Sequence, residues 1–347
     1  MTPTIGVEEV LARCRRAIHP ALTAAIDRLA PEIRQIAAYH MGWTDAAGSP
    51  VDAPGGKGVR PTVAILGAEA AWADSEVGVP GAVAVELVHN FSLIHDDIID
   101  TDTERHHRPT VWSAFGVGPA IVAGDALQVL AHQVLLEASP DTGPAASSEL
   151  ADATAAMIAG QADDIAFEKR RNVTVEQCTA MSEAKTGALL GCASAIGAIL
   201  AGAPDATVGA LRDYGRHLGL AFQAIDDLLG IWGDPDTTGK PASSDLTLRK
   251  KSMPVVSALA AGGAEADELR LLMLGPEDAE LPLGPLGPDE VERARYLVEA
   301  CGGREWTAVR AKANLDAALG ALERVRLSAI PHRDLADLAV YVVEREF

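Results

Sequence analysis

The chain has 347 residues, with 29 Lys and Arg against 49 Asp and Glu, for a net charge of −20. At 48% hydrophobic and 22% charged it has ordinary globular composition, which excludes wholesale disorder. The excess of acid argues against tracking a nucleic-acid backbone or an anionic membrane, since both need clustered positive charge. An anionic substrate stays open, because a local basic pocket or a bound metal reverses the field.

Ala and Leu dominate, aromatics are only 4%, and alternating β-branched runs are scarce. In chain order, Val7–Tyr39, Thr62–Ala73, Val83–Asp100, Pro119–Glu137, Ser148–Phe167 and Val208–Ile231 carry helical rather than period-2 patterning. The breaks between them, Ala46–Gly58, Ser139–Ser147, Gly233–Ser244 and Gly275–Glu290, are rich in Gly, Pro, Asp and Ser. The last one reads as a flexible surface insertion over 275–290. The expectation is one all-α domain over residues 1–347, with about ten or more helices and no solenoid repeat.

Cys14, Cys178, Cys192 and Cys301 are far apart and form no C-x-x-C pair, which fits a reducing, cytoplasmic setting. The N-terminal residues lack the apolar run of a signal peptide. Gly187–Ala203 is as long as a short membrane span. It is mostly Gly, Ala and Ser, however, and reads as a close-packed core helix.

The most informative segment is His89–Arg108, HNFSLIHDDIIDTDTERHHR. On a helix Asp96 and Asp100 share one face, about 6 Å apart along the axis. Carboxylates so placed repel unless a cation bridges them or one takes up a proton. Hard divalent ions that bind phosphate oxygens suit them, which points to magnesium. A solvated acidic helix end is the plain alternative. A second pair, Asp226-Asp227, interrupts the apolar stretch HLGLAFQAIDDLLGIWG, where charge is costly unless paired or ligating. The Gly/Ser/Asp loop after it supplies Lys240, Lys250 and Lys251. Such lysines could cradle a metal-bound diphosphate, or form surface ion pairs of little worth.

These residues resemble the trans-isoprenyl diphosphate synthases, the polyprenyl synthetase family, over about residues 50 to 260. Asp96-Asp97-x-x-Asp100 is similar to the family's first aspartate-rich motif and Asp226-Asp227 to the start of its second. Gly55-Gly56-Lys57-Gly58-Val59-Arg60-Pro61 resembles the GGKxxRP motif. Lys185-Thr186, Phe222-Gln223, Gly239-Lys240 and Lys250-Lys251-Ser252-x-Pro254 follow in the family's order. One such motif is weak evidence; the ordered set is strong.

The resemblance implies an isoprenoid-synthase helical bundle around a central cavity. Asp96, Asp100 and Asp226 would hold three Mg²⁺ ions against an allylic diphosphate. Arg105, Lys185 and Lys240 would complete that clamp, with Thr186, Gln223 and Lys250 beside it. Isopentenyl diphosphate would sit on Lys57, Arg60, His89 and His106 without metal. Neutralising the departing pyrophosphate promotes C–O cleavage. The isopentenyl double bond then attacks the allylic cation head-to-tail, and apolar helices must exclude water. A homodimer without stable membrane anchoring and without nucleic acid is the expected form.

Two departures stand out. Where the family has a second arginine this chain has His106, which is mostly neutral at pH 7 near its reference pKa of about 6.5. The second motif, Asp226-Asp227-Leu228-Leu229-Gly230, lacks its last carboxylate. Both would suit a terpene cyclase of the same fold, which has no isopentenyl site. Lys57, Arg60 and His89 favour the synthase. A remote third reading takes His95-Asp96 as an HD-type phosphohydrolase dyad, and leaves the lysines unexplained; His95 itself reads as a packing residue. Phe91, about 7.5 Å before Asp96 along the axis, resembles the floor that limits the growing chain. With the small Ser92 beside it, a product of fifteen or twenty carbons is expected.

Overall fold

The helical pattern over Val7–Tyr39 breaks at residues 27–30, because Pro31 starts a new helix at a position where its missing N–H costs nothing. The computed structural model describes residues 6–51, 56–233 and 243–343. Its helices are α1 (Val7–Ile26), α2 (Pro31–His40), α3 (Val59–Ala70), α4 (Ser75–Ile99), α5 (Val111–Phe115), α6 (Val117–Ala138), α7 (Gly143–Glu168), α8 (Val175–Ser182), α9 (Ala188–Leu200) and α10 (Asp205–Trp232). They continue as α11 (Ser244–Thr247), α12 (Met253–Ala260), α13 (Ala264–Leu274), α14 (Pro288–Ala300), α15 (Gly303–Leu322) and α16 (Ala329–Val343). A five-residue π-helical turn, Glu183–Gly187, joins α8 to α9. Among the described residues the one sheet is a two-stranded hairpin, β1 (Glu104–Arg105) and β2 (Arg108–Pro109). The chain is all-α, as its patterning predicts.

The chain groups into two compact units: residues 1–154, 189–215 and 321–338, and residues 155–188, 216–320 and 339–347. In the first, α3 is buried almost throughout and α4 from Gly81 to Val88 nearly so. The Gly/Ala/Ser helix α9 is also almost entirely buried. A Cβ on Gly197 would lie 2.0 Å from the Ala64 carbonyl oxygen, so the small residues of Gly187–Ala203 permit backbone-to-backbone packing. Helices α4, α6 and the stretch Val175–Leu200 are long and apolar enough to cross a membrane, and are 61%, 39% and 72% buried within the protein.

In the second unit Ile231, Leu246, Val255, Leu269, Leu297 and Val298 form one apolar cluster. Cys178, Ala224, Ile225, Leu228, Met253 and Val256 form another. The segment 275–287 is tied down by arginines. Arg171 donates to the carbonyls of Pro276 (2.5 Å) and Ala279 (2.7 Å), and Arg249 to that of Gly284 (2.6 Å). Leu286 is buried and its N–H bonds the Thr247 carbonyl at 2.9 Å.

Candidate active site

One face of α4 carries most of the first unit's chemistry. His89 and Asp96 are seven residues apart and Asp100, which caps the helix, lies a further turn on. The Asp100 N–H closes that turn on the Asp96 carbonyl at 2.8 Å. Asp96 is half-buried and Asp100 exposed.

Asp97 points elsewhere. It falls on the buried stripe Leu87, Asn90, Ile94, Asp97 and is only 1% exposed. Its Oδ1 accepts from Arg105 Nε (2.8 Å) and lies 2.7 Å from Nη2. Its Oδ2 is buried with no hydrogen-bond partner. Burial raises its pKa above the usual carboxylate value; Arg105 opposes this, and Asp102 and Asp100 add to it. Asp97 therefore anchors Arg105, while Asp96 and Asp100 remain the solvent-facing carboxylates.

Arg105 is held in a specific hairpin. Its register pairs Glu104 with Pro109 and Arg105 with Arg108, leaving His106 and His107 as a two-residue loop. Both have positive φ, 51° and 60°, as a type I′ turn requires. Histidine tolerates the left-handed region better than most residues. His106 is exposed, and partial loss of water, then Arg105 and His107, hold its imidazole below the ordinary histidine value. Arg108 fastens the hairpin by donating to the carbonyls of Tyr39 (3.2 Å) and Thr44 (2.8 Å) while stacking 4.4 Å over the Tyr39 ring.

The second group of sequence-predicted residues assembles around α3. Gly58, with φ of +69°, caps α3 directly after the exposed Lys57, a left-handed conformation that glycine adopts without steric cost. At the second residue of the helix, Arg60 Nη1 lies 3.3 Å from His89 Nε2. Burial first, and Arg60 second, keep His89 neutral with its pKa well below 6.5. That imidazole thus presents an acceptor to the guanidinium. Behind it Asn90 donates to Glu86 Oε1 (3.3 Å) and to the Glu86 carbonyl (2.8 Å). His40 joins this group from α2; burial and the charge of Arg105 push its pKa down to about 3. Sequence reading missed His40, which had no motif around it.

In the second unit, Lys185 and Thr186 stand on the π-helical turn. Lys185 Nζ donates to Asp164 Oδ2 at 2.7 Å, and Thr186 Oγ1 donates to Gln223 Oε1 at 2.8 Å. Gln223 Nε2 donates to Asp227 Oδ1 (2.7 Å), whose Oδ2 accepts the Met253 N–H (2.8 Å). Asp227 is 4% exposed, and burial, reinforced by Asp245, pushes its pKa up to about 7. Asp226, its neighbour, is exposed. The second aspartate pair therefore divides like the first, one carboxylate outward and one built into the frame.

The lysines separate too. Lys250 is exposed, whereas Lys251 is 8% exposed and donates to the carbonyls of Phe167 (2.6 Å) and Glu168 (3.2 Å). Lys251 thereby closes the C-terminus of α7, where carbonyls lack helical partners. Lys240 and Gly239 lie outside the described residues, as does Gly55.

Phe91 is buried and meets the His95 ring edge-on, 4.9 Å between centroids. His95 Nε2 lies 3.1 Å from the Ile121 carbonyl on α6. His95 is thus a packing residue, and the phosphohydrolase dyad has no support. Ser92 is half-buried and bonds the His89 carbonyl at 2.8 Å.

Among the described residues no three His, Cys, Asp or Glu side chains converge as a ready-made metal centre would. Asp96 and Asp100 nonetheless supply the hard oxygen donors that Mg²⁺ takes, next to a crowded acid group with an unpartnered buried oxygen. The donor set fits an ion that completes its shell with water and substrate phosphate oxygens.

An all-α scaffold presenting carboxylates at one end of a helix face and an arginine–histidine pair at the other defines an enzyme of anionic substrates. The chain belongs to the polyprenyl synthetase family, whose model matches residues 43–280. It is 44% identical over 338 residues to a (2E,6E)-farnesyl diphosphate synthase of Mycobacterium tuberculosis, covering 97% of this chain and 93% of the relative. It is also similar to a solved polyprenyl synthetase from Streptomyces coelicolor A3(2). That match has 50% identity and a TM-score of 0.91, over 97% of this chain and 99% of that one. A geranylgeranyl pyrophosphate synthase from Corynebacterium glutamicum, solved with isoprenyl diphosphate and magnesium, matches at 26% identity and a TM-score of 0.82, over 99% and 100%.

Proposed function

We propose that this protein is a Mg²⁺-dependent trans-prenyltransferase. It condenses isopentenyl diphosphate head-to-tail with an allylic diphosphate to give an all-trans product of fifteen or twenty carbons. The observation that carries this reading is the face of α4, with Arg60–His89 at one end and Asp96 and Asp100 at the other. One end suits a diphosphate bound by positive charge alone, the other a diphosphate bound through metal.

Lys57, Arg60, His89 and His106 take isopentenyl diphosphate. By the family resemblance, Arg105, steered by Asp97, and Lys185, steered by Asp164, would bind the allylic diphosphate, as would Lys240 and Lys250. Thr186 and Gln223 are neighbours in that contact. Mg²⁺, three ions in all, would be held by Asp96 and Asp100 in the first unit and Asp226 in the second. Bound there it supplies positive charge to the departing pyrophosphate. The allylic C–O bond breaks and its electron pair leaves with pyrophosphate. The isopentenyl double bond forms the new C–C bond, and the proton then lost passes to pyrophosphate. Phe91, braced by His95, limits chain length, with Ser92 beside it.

The same reading takes residues 1–347 as one catalytic domain in the cytoplasm, which the four free cysteines support. It also takes the protein as a homodimer. Helix α6 exposes Val117, Ile121, Val122, Val129 and Leu136, each at least 42% exposed. Three of these recur at seven-residue spacing, an apolar stripe that a second copy would cover.

The test is incubation of purified protein with Mg²⁺ and allylic diphosphates from five to twenty carbons, with and without isopentenyl diphosphate. Products are identified by mass spectrometry with and without phosphatase. Longer linear diphosphates formed only with isopentenyl diphosphate are expected. Hydrocarbons or alcohols formed without it, and without phosphatase, would make the protein a cyclase.

A further inference from the structure

The π-helical turn Glu183–Gly187 departs from α-helical geometry, and it carries Lys185 and Thr186. Its defining bond runs from the Ala188 N–H to the Glu183 carbonyl, one residue wider than in an α-helix. Such turns are intrinsically unfavourable and concentrate where a protein needs a side chain re-aimed. Something must therefore hold this one in place.

Two glycines from different helices press on it. A Cβ on Gly160 of α7 would lie 2.5 Å from the Lys185 nitrogen, 2.9 Å from its Cα and 3.0 Å from the Ala184 carbonyl carbon. A Cβ on Gly219 of α10 would lie 2.7 Å from Gly187 Cα and 3.2 Å from the Thr186 oxygen. The atoms met are backbone, which cannot swing aside like a side-chain tip. Each glycine is one turn from a polar partner of the turn it touches. Gly160 and Asp164 are i and i+4 on α7, and Asp164 takes the Lys185 ammonium. Gly219 and Gln223 are i and i+4 on α10, and Gln223 takes the Thr186 hydroxyl. On both helices a glycine sets the distance and the residue four further on fixes the direction.

We propose that Gly160 with Asp164, and Gly219 with Gln223, form a two-sided mould for the π turn, and so are positioning residues that aim Lys185 and Thr186. Without the mould the segment relaxes toward α-helix, and every side chain after the bulge rotates by about 100°. The inference rests on the reading above that Lys185 meets the allylic diphosphate.

The test is steady-state kinetics on full-length Lys185→Ala, Gly160→Ala, Gly219→Ala and Asp164→Asn, varying each substrate separately, with circular dichroism and melting temperature as fold controls. Lys185→Ala should raise the allylic KM tenfold or more and leave the isopentenyl KM within twofold. Folded Gly160→Ala and Gly219→Ala should reproduce that selective rise with Lys185 still present. Asp164→Asn adds no bulk, so it reports even if the glycine variants do not fold. It should raise the allylic KM several-fold, and Asp164→Glu should recover part of the loss. An unchanged allylic KM in Lys185→Ala would overturn the underlying reading. A normal Asp164→Asn, or folded glycine variants that raise both KM values equally or neither, while Lys185→Ala behaves as expected, would overturn the mould alone.

Discussion

Adjacent aspartates in this protein do different work, and the difference is measurable. Asp96 is half-buried on the open face of α4, while Asp97 is 1% exposed and holds Arg105. Asp96→Ala should leave the melting temperature nearly unchanged and lower turnover by at least about 10²-fold, because metal charge on the leaving group is worth several kcal/mol. Asp97→Ala strands a partly buried guanidinium, and should destabilise the fold by about 3 kcal/mol in denaturant melts. A fully active Asp96→Ala, or an unaltered melt for Asp97→Ala, would reverse the assignment. Asp97 and Asp227 were legible in the sequence as acids that interrupt apolar helical stretches. What each one holds was not, because Arg105 and the Met253 N–H come from other elements. Arg108, Asp164 and His40 had no such setting to mark them.

His106 makes a prediction about pH. Its pKa in the free site lies below the ordinary histidine value, so near neutrality it is uncharged. A bound diphosphate favours the charged form and draws the pKa upward. Its help to binding is therefore present at low pH and lost as pH rises through the pKa of the bound state. The isopentenyl KM of the native protein should climb with pH across about 6 to 8, relative to that of His106→Arg, whose charge is permanent. Comparing two profiles on one substrate cancels the substrate's own ionisation. At pH 8 the arginine variant should show the lower KM by severalfold; superimposable profiles would remove His106 from the site.

At the scale of elements, helix identity was more legible than helix length. Patterning placed the start of the first-motif helix well inside its true limit, since α4 begins at Ser75 rather than Val83, while α10 begins at Asp205, close to the expected Val208. Its first turns contain Gly78, Pro80 and Gly81, which intrinsic propensity counts against a helix. Packing overrides propensity there: a Cβ on Gly78 would sit 2.9 Å from Ile65 Cα, so α3 and α4 meet backbone to backbone. The π turn was equally invisible, since EAKTG reads as ordinary helix. Where α4 runs against α6, Phe91 is wedged by His95, which is itself pinned to the Ile121 carbonyl. A ring held so firmly would make a rigid stop for a growing chain. Phe91→Ala should shift the product toward longer chains by at least one five-carbon unit in mass-spectrometric assays, at a stability cost of about 3 kcal/mol. A lengthless change in rate alone would leave Phe91 as ordinary core.

At the scale of the whole molecule, the net charge of −20 and the bare stripe on α6 pull association in opposite directions. Two such chains repel at long range, and the ionised side chains of α6, Asp125 and Glu137, are both acidic. Apolar burial is then what would drive the proposed homodimer, and salt should strengthen it by screening the repulsion. Composition could not reveal this, because exposure of Val122, Val129 and Leu136 is known only once the other face of α6 is packed. Sedimentation should give about twice the 36.1 kDa chain mass at micromolar concentration. The dissociation constant should fall as salt rises from about 0.01 to 0.3 M, opposite to an interface built on ion pairs. Val129→Asp adds like charge near the centre of the stripe, and should shift the protein to monomer without changing its helical circular dichroism. A dimer that survives Val129→Asp, or one that weakens with salt, would place the partner on another face.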